Sequence, residues 1–147
     1  LFTFLFRVVG VEGDSMMDTL YGGDRLILCP ALSSPDRGDI VVINRYTDEP
    51  LVKRVIGVAG DTLEIDEELH RVRLNGELLD EPYVQYPTPA YDMTGEVAVP
   101  EGYVFVMGDH RNDSHDSRAA DIGLVPVDDI VGWAAFRIWP PQRIGIL

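Results

Sequence analysis

The sequence predicts an all-β fold, barrel-like and built mainly of antiparallel strands with few short helices. Three observations predict it. Short runs rich in β-branched and apolar residues recur along the chain, each bounded by Gly, Pro, Asp or Asn. An Asn-Gly pair, Asn75–Gly76, joins two of these runs, and both residues accept the positive φ of a type I′ hairpin turn. No long stretch keeps a 3.6-residue apolar period and no internal repeat occurs, which argues against a layer of alternating strands and helices.

In chain order the runs are "FRVVGV", "RLILC", "DIVVI", "LVKRVIGV", "DTLEI", "RVRL", "ELL", "YVFVM" and "IVGWAAFRIW". Helix is confined to one turn after Ser15 and another near Pro126 to Ile130. The 147 residues, 46% of them hydrophobic, suffice for one domain over residues 1–147 with a sizeable core. Pro82, Pro87, Pro89 and Pro100 mark a looser segment at about residues 80–100, on which no chemistry is placed.

With 12 Lys+Arg against 25 Asp+Glu, the net charge of −13 repels phosphate backbones and argues against nucleic acid as a partner. The single cysteine, Cys29, lies in an apolar run and reads as a buried structural thiol. The chain opens on "LFTFLFRVVGV", too short to span a bilayer, which needs about 20 apolar residues. That opening is either an exposed first strand or the exit of a membrane helix lying upstream.

Three stretches could carry chemistry. "GDSMMDTL", residues 13–20, is turn chemistry by composition, and Ser15 in it is either a turn residue or a nucleophile. "PLVKRVIGVAGD" sets Lys53 and Arg54 inside an apolar strand; alternation puts Leu51, Lys53, Val55 and Gly57 on one face and Val52, Arg54, Ile56 and Val58 on the other. Either cation can snorkel to water or close an ion pair. A desolvated Lys53 would instead lose its proton near neutrality and serve as general base to a nearby serine. The third stretch, "GDHRNDSHDSRAADIG", is a dense polar loop with three readings. Asp109, His110, Asp113, His115 and Asp116 fit no zinc or calcium spacing. Ser15 with His110 or His115 and an aspartate could form a triad. The loop could equally be a network in which Asp116 pairs Arg118 and Ser114 caps a turn.

Taken together and in order, "GDSMMDTL", "RGDIVVI", "KRVIGVAGD" and "GDHRNDSHDSR" resemble bacterial type I signal peptidases, membrane-anchored serine endopeptidases that release signal peptides from exported proteins. The resemblance implies a signal-peptidase-type β fold, no cofactor and no metal. It makes Ser15 the nucleophile and Lys53 the general base of a Ser-Lys dyad. Ser114 would hydrogen-bond and orient the lysine, and Asp116, Arg118 and Asp109 would buttress the site. The Ser15 N–H would be one oxyanion-hole donor. Gly13 stands where some members carry a second donor's hydroxyl, as in members from Gram-positive bacteria. Asp18 replaces a usual proline, Asn112–Asp113 inverts the common order, and Ala59 replaces another proline.

The implied substrate is an extended signal peptide ending in Ala-x-Ala, paired along a strand, with Val9, Val11, Met16, Leu20, Leu51 and Val52 as candidate pocket walls. The implied setting is the cytoplasmic membrane, with an anchor upstream, the domain on the extracytoplasmic side touching the outer leaflet through an apolar surface, and a monomeric state. Two other readings are a self-cleaving repressor-type peptidase using the same dyad and a non-catalytic β-barrel binding module.

Overall fold

The computed structural model describes residues 7–30, 34–44 and 50–147. The apolar opening, residues 1–6, on which the membrane-exit reading rests, lies outside the described residues. Among those described, the strands are β1 (Arg7–Gly10), β2 (Arg25–Pro30), β3 (Ile40–Ile43), β4 (Leu51–Gly57), β5 (Thr62–Asp66), β6 (Arg71–Leu74), β7 (Glu77–Leu78), β8 (Val97–Ala98), β9 (Tyr103–Met107), β10 (Val125–Pro126), β11 (Ile130–Trp139) and β12 (Gly145–Ile146). One sheet runs β1-β2-β11-β3-β4-β9-β10, with β12 beside β11; the other runs β7-β6-β5-β8. Every pairing is antiparallel, and the larger sheet curls into a half-barrel.

The local signals act as their chemistry requires. Asn75 and Gly76 take φ of 53° and 85°, setting Leu74 opposite Glu77 in the hairpin of β6 and β7. The turn expected near Pro126 is a short 3-10 helix over Val127–Asp129. The one after Ser15 is a pair of hydrogen-bonded turns and not a helix. Cys29 is half-buried in β2, opposite Trp133, and not fully enclosed as its apolar run suggested.

Three apolar clusters hold the sheets. The first joins Val11, Met16 and Leu20 to Leu26, Leu28, Ile40, Val42 and Val52. The second lies among β3, β4, β9 and β11 around Val41, Ile43, Val55, Val106 and Ile130. The third packs the small sheet on the large one through Ile56, Leu63, Val72, Phe105 and Met107. Along β4 the expected alternation holds for Val52 and Val55, which enter different clusters. It fails at Val58, which packs in the cluster of Leu51 and Val55. A register break between Val55 and Gly57 against β9 slips the face at that point.

Candidate active site

Ser15 sits in the connection from β1 to β2. Val11 N–H bonds Asp24 O and Gly23 N–H bonds Val11 O, closing the base of this loop. Its crest is tightened by Met17 N–H to Asp14 O and Leu20 N–H to Met16 O. Met16 and Leu20 drop into the first apolar cluster and fasten the loop to the sheet. Gly13 reverses the chain just before Ser15 with φ of 74°.

Lys53 comes from β4, opposite Val41, and is 3% exposed. Its Nζ lies 2.7 Å from Ser15 Oγ. Burial pushes the Lys53 pKa down to about 8; the Asp116 carboxylate opposes the shift and Arg118 adds to it. The ammonium donates to Ser15 Oγ; the neutral amine, which the burial makes accessible near neutral pH, accepts the hydroxyl proton instead.

The polar loop supplies the frame. Asp116 is fully buried and takes both arms of Arg118, at 2.9 and 2.8 Å, together with Gly108 N–H at 3.0 Å and Ser114 Oγ–H at 2.7 Å. Burial alone would raise its carboxyl; the Arg118 bonds and charge outweigh that and hold it below the usual range. Asp109, also fully buried, accepts two bonds from Arg54 at 2.9 and 2.8 Å and one from Thr19 Oγ1 at 2.6 Å. It therefore ties the serine loop to β4. Gly108 lies where these parts meet: a Cβ there would stand 2.2 Å from Ser114 Oγ and 2.4 Å from Ser15 O.

The structure brings together Ser15, Lys53, Asp109, Ser114, Asp116 and Arg118, and it places the remaining candidates as follows. Ser114 Oγ donates to Asp116 and accepts from Gly108 N–H; among the described residues it makes no direct bond to Lys53, on which Asp116 acts through its charge alone. Among the described residues, neither histidine bonds Ser15 Oγ: His110 Nδ1 faces Asp14 O, and His115, half exposed, pairs Asp121. Of the candidate pocket walls, Val11, Met16, Leu20 and Val52 are buried together in the first apolar cluster, beneath the serine loop. Val9 packs against that cluster half-buried, Leu51 packs into the second cluster, and Gly13 is exposed.

Sequence reasoning missed the share of the Pro-rich segment. Tyr83 stacks on the Arg54 guanidinium, 3.9 Å from ring centroid to carbon, and Tyr86 stacks on His110. Glu81 pairs with the fully buried Arg111, which also donates to Thr88 Oγ1 and Gly108 O. A compositional signal was available for Lys53: it is the one lysine among twelve basic residues.

A curled antiparallel sheet that sets a serine hydroxyl against a desolvated lysine has the layout of a Ser-Lys hydrolase. The chain belongs to the signal peptidase family, peptidase S26, whose family model matches residues 1–139. It is 37% identical over 155 aligned positions to a probable signal peptidase I-2 of Synechocystis sp., covering 99% of this chain and 68% of that protein. It is 38% identical to signal peptidase I T of Bacillus subtilis, covering 93% of this chain and 76% of the relative. The crystal structure of a signal peptidase I from Enterococcus faecalis superposes with a TM-score of 0.56 at 28% identity, covering 69% of this chain and 97% of the other.

Proposed function

We propose that this chain is a serine endopeptidase that removes N-terminal signal peptides from exported preproteins after a small-x-small motif such as Ala-x-Ala, with Ser15 as nucleophile and Lys53 as general base. The observation that carries the reading is the 2.7 Å contact between Ser15 Oγ and a lysine whose burial lowers its pKa to about 8. Neutral Lys53 takes the hydroxyl proton as Oγ attacks the scissile carbonyl carbon. The Ser15 N–H stabilises the resulting oxyanion, and the Lys53 ammonium returns its proton to the leaving amine. Water, deprotonated by the same lysine, then releases the signal peptide from the acyl-serine.

Asp116, Arg118, Ser114 and Asp109 act by holding this geometry. Gly13 offers no hydroxyl, so a second oxyanion donor comes from elsewhere, the substrate-facing backbone included. The substrate lies extended beside a strand of the half-barrel. Exposed Trp133, Trp139, Ile144 and Ile146 near the C-terminal strands support contact of the domain with a membrane surface. The family's membrane setting supports an extracytoplasmic position at the cytoplasmic membrane and an upstream anchor; the chain is taken to act as one catalytic domain and as a monomer.

The test is cleavage of a synthetic preprotein segment with Ala-x-Ala before the bond, across about pH 6 to 10, for the parent and for Ser15→Ala and Lys53→Ala. Loss in both variants, with a parent rate rising through about pH 8, is the expected result. Cleavage that survives either substitution overturns the dyad.

A further inference from the structure

Ser15 N–H has no hydrogen-bond acceptor among the described residues. Its direction is nevertheless fixed, because a trans peptide is planar and points its N–H opposite to its C=O. The Asp14–Ser15 peptide is trans, so whatever holds Asp14 O also aims Ser15 N–H. Two donors hold it: Met17 N–H at 3.2 Å, within the loop, and His110 Nδ1 at 3.0 Å, from across the site. A carbonyl oxygen only accepts, so His110 carries its hydrogen on Nδ1. The same residue's main-chain N–H bonds Ser15 O at 2.9 Å, which makes His110 the donor to the carbonyls on both sides of the serine nitrogen. Its ring packs against Tyr86, with centroids 4.4 Å apart and planes tilted 35°.

We propose that His110 is a positioning residue that aims the Ser15 N–H into the oxyanion hole, through the Nδ1–H bond to Asp14 O, with Tyr86 of the Pro-rich segment fixing the ring. The proposal rests on the Ser15–Lys53 reading. It assigns the imidazole no proton transfer: what matters is a donor at the Nδ1 position. Asparagine reproduces that donor, since its Nδ2–H occupies the same place one bond from Cγ, whereas glutamine carries its amide one carbon further out.

The experiment measures kcat and KM separately on the Ala-x-Ala peptide, with thermal unfolding of each protein, for the parent and for Ser15→Ala, His110→Ala, His110→Asn and His110→Gln. His110→Ala and His110→Gln are expected to lower kcat by about 10- to 100-fold with KM within about twofold, the signature of an interaction felt in the transition state. His110→Asn is expected to restore kcat to within about threefold of the parent. Equal kcat for the Asn and Gln variants overturns the proposal, as does a loss confined to KM or losses that simply follow unfolding temperature. The Asn and Gln pair keeps the comparison valid if the Ala variant does not fold. Cleavage surviving Ser15→Ala sinks the dyad reading itself; cleavage lost there, with kcat indifferent to Asn or Gln at 110, leaves the dyad standing and removes only the role of His110.

Discussion

Lys53 and Arg118 are both buried cations whose charges act on Asp116 or on one another, yet the fold treats them in opposite ways. Arg118 receives a bidentate carboxylate, and its Nη1 also donates to Pro89 O and Arg111 O, so its charge is fully compensated. Lys53 receives a neutral hydroxyl. A guanidinium keeps its proton under any condition the fold survives, and pairing it builds a rigid frame. An ammonium denied a bonded carboxylate is left poised to lose its proton, and the cost of burying it becomes reactivity. The frame and the base are neighbours, and a carboxylate already engaged by arginine keeps the lysine from being fully neutralised or fully charged.

Several substitutions break or sharpen this contrast. The largest effect is expected at Lys53→Met, which removes the base while filling its space: kcat should fall by about 10³-fold or more. The same variant should be more stable than the parent by about 3 kcal/mol near pH 7. The sign follows from a folded pKa of about 8 below the ordinary 10.5: the penalty is complete below about pH 8 and fades as pH rises toward 10.5. Chemical denaturation at pH 7 and pH 10 checks it, because the stability gap should shrink at the higher pH.

Arg118→Ala should do the reverse, costing about 3–5 kcal/mol by stranding a buried Asp116 charge. In whatever fraction stays folded, the released carboxylate should raise the Lys53 pKa and move the alkaline limb of the rate profile upward. Gly108→Ala should cost about 1–3 kcal/mol and depress kcat, because its methyl must displace Ser114 or the Ser15 carbonyl; kinetics and thermal melts on one preparation would show both.

A direct reading of the base is available because the chain has one lysine. Selective isotope labelling should give a single side-chain signal that titrates near pH 8 in the folded protein and near 10.5 in denaturant. The smallest effect is expected at Ser114→Ala. Its hydroxyl supports Asp116 and Gly108 without touching Lys53, so a loss of about tenfold in kcat with little change in the lysine titration is anticipated. A larger shift in that titration would mean Ser114 acts on the base directly.

Much of this was legible in the sequence, for reasons that differ from element to element. The Asn75–Gly76 hairpin and the strand alternation through Val52 and Val55 follow from local chemistry alone. Lys53 could be singled out because an ammonium in an apolar strand is an electrostatic anomaly wherever its partner lies. The long-range ties of the frame were hidden. Arg54 to Asp109 spans 55 residues and Thr19 to Asp109 spans 90, and no local pattern encodes such pairings. The candidate pocket walls show the same limit: Met16 and Leu20 are apolar whether they line a cleft or anchor a loop, and their burial beneath the serine loop comes from packing that no local pattern encodes. The prolines of the Pro-rich segment signal only loose structure, yet irregular backbone is what lets Glu81 and Tyr83 reach two arginines, Arg111 and Arg54, and Tyr86 reach the His110 ring.

With Lys53 as the proposed base, its burial also keeps the chain inactive until it has folded. An unfolded copy holds its lysine in water at an ordinary pKa of 10.5, protonated and far from Ser15 in any fixed sense, so it has a serine but no base. Reactivity arrives only with the tertiary structure that strips water from the amine, and it leaves again if that structure opens. Folding thus serves as the activation step that many proteases obtain by cutting away an inhibitory segment, and a misfolded copy is silent and not promiscuous.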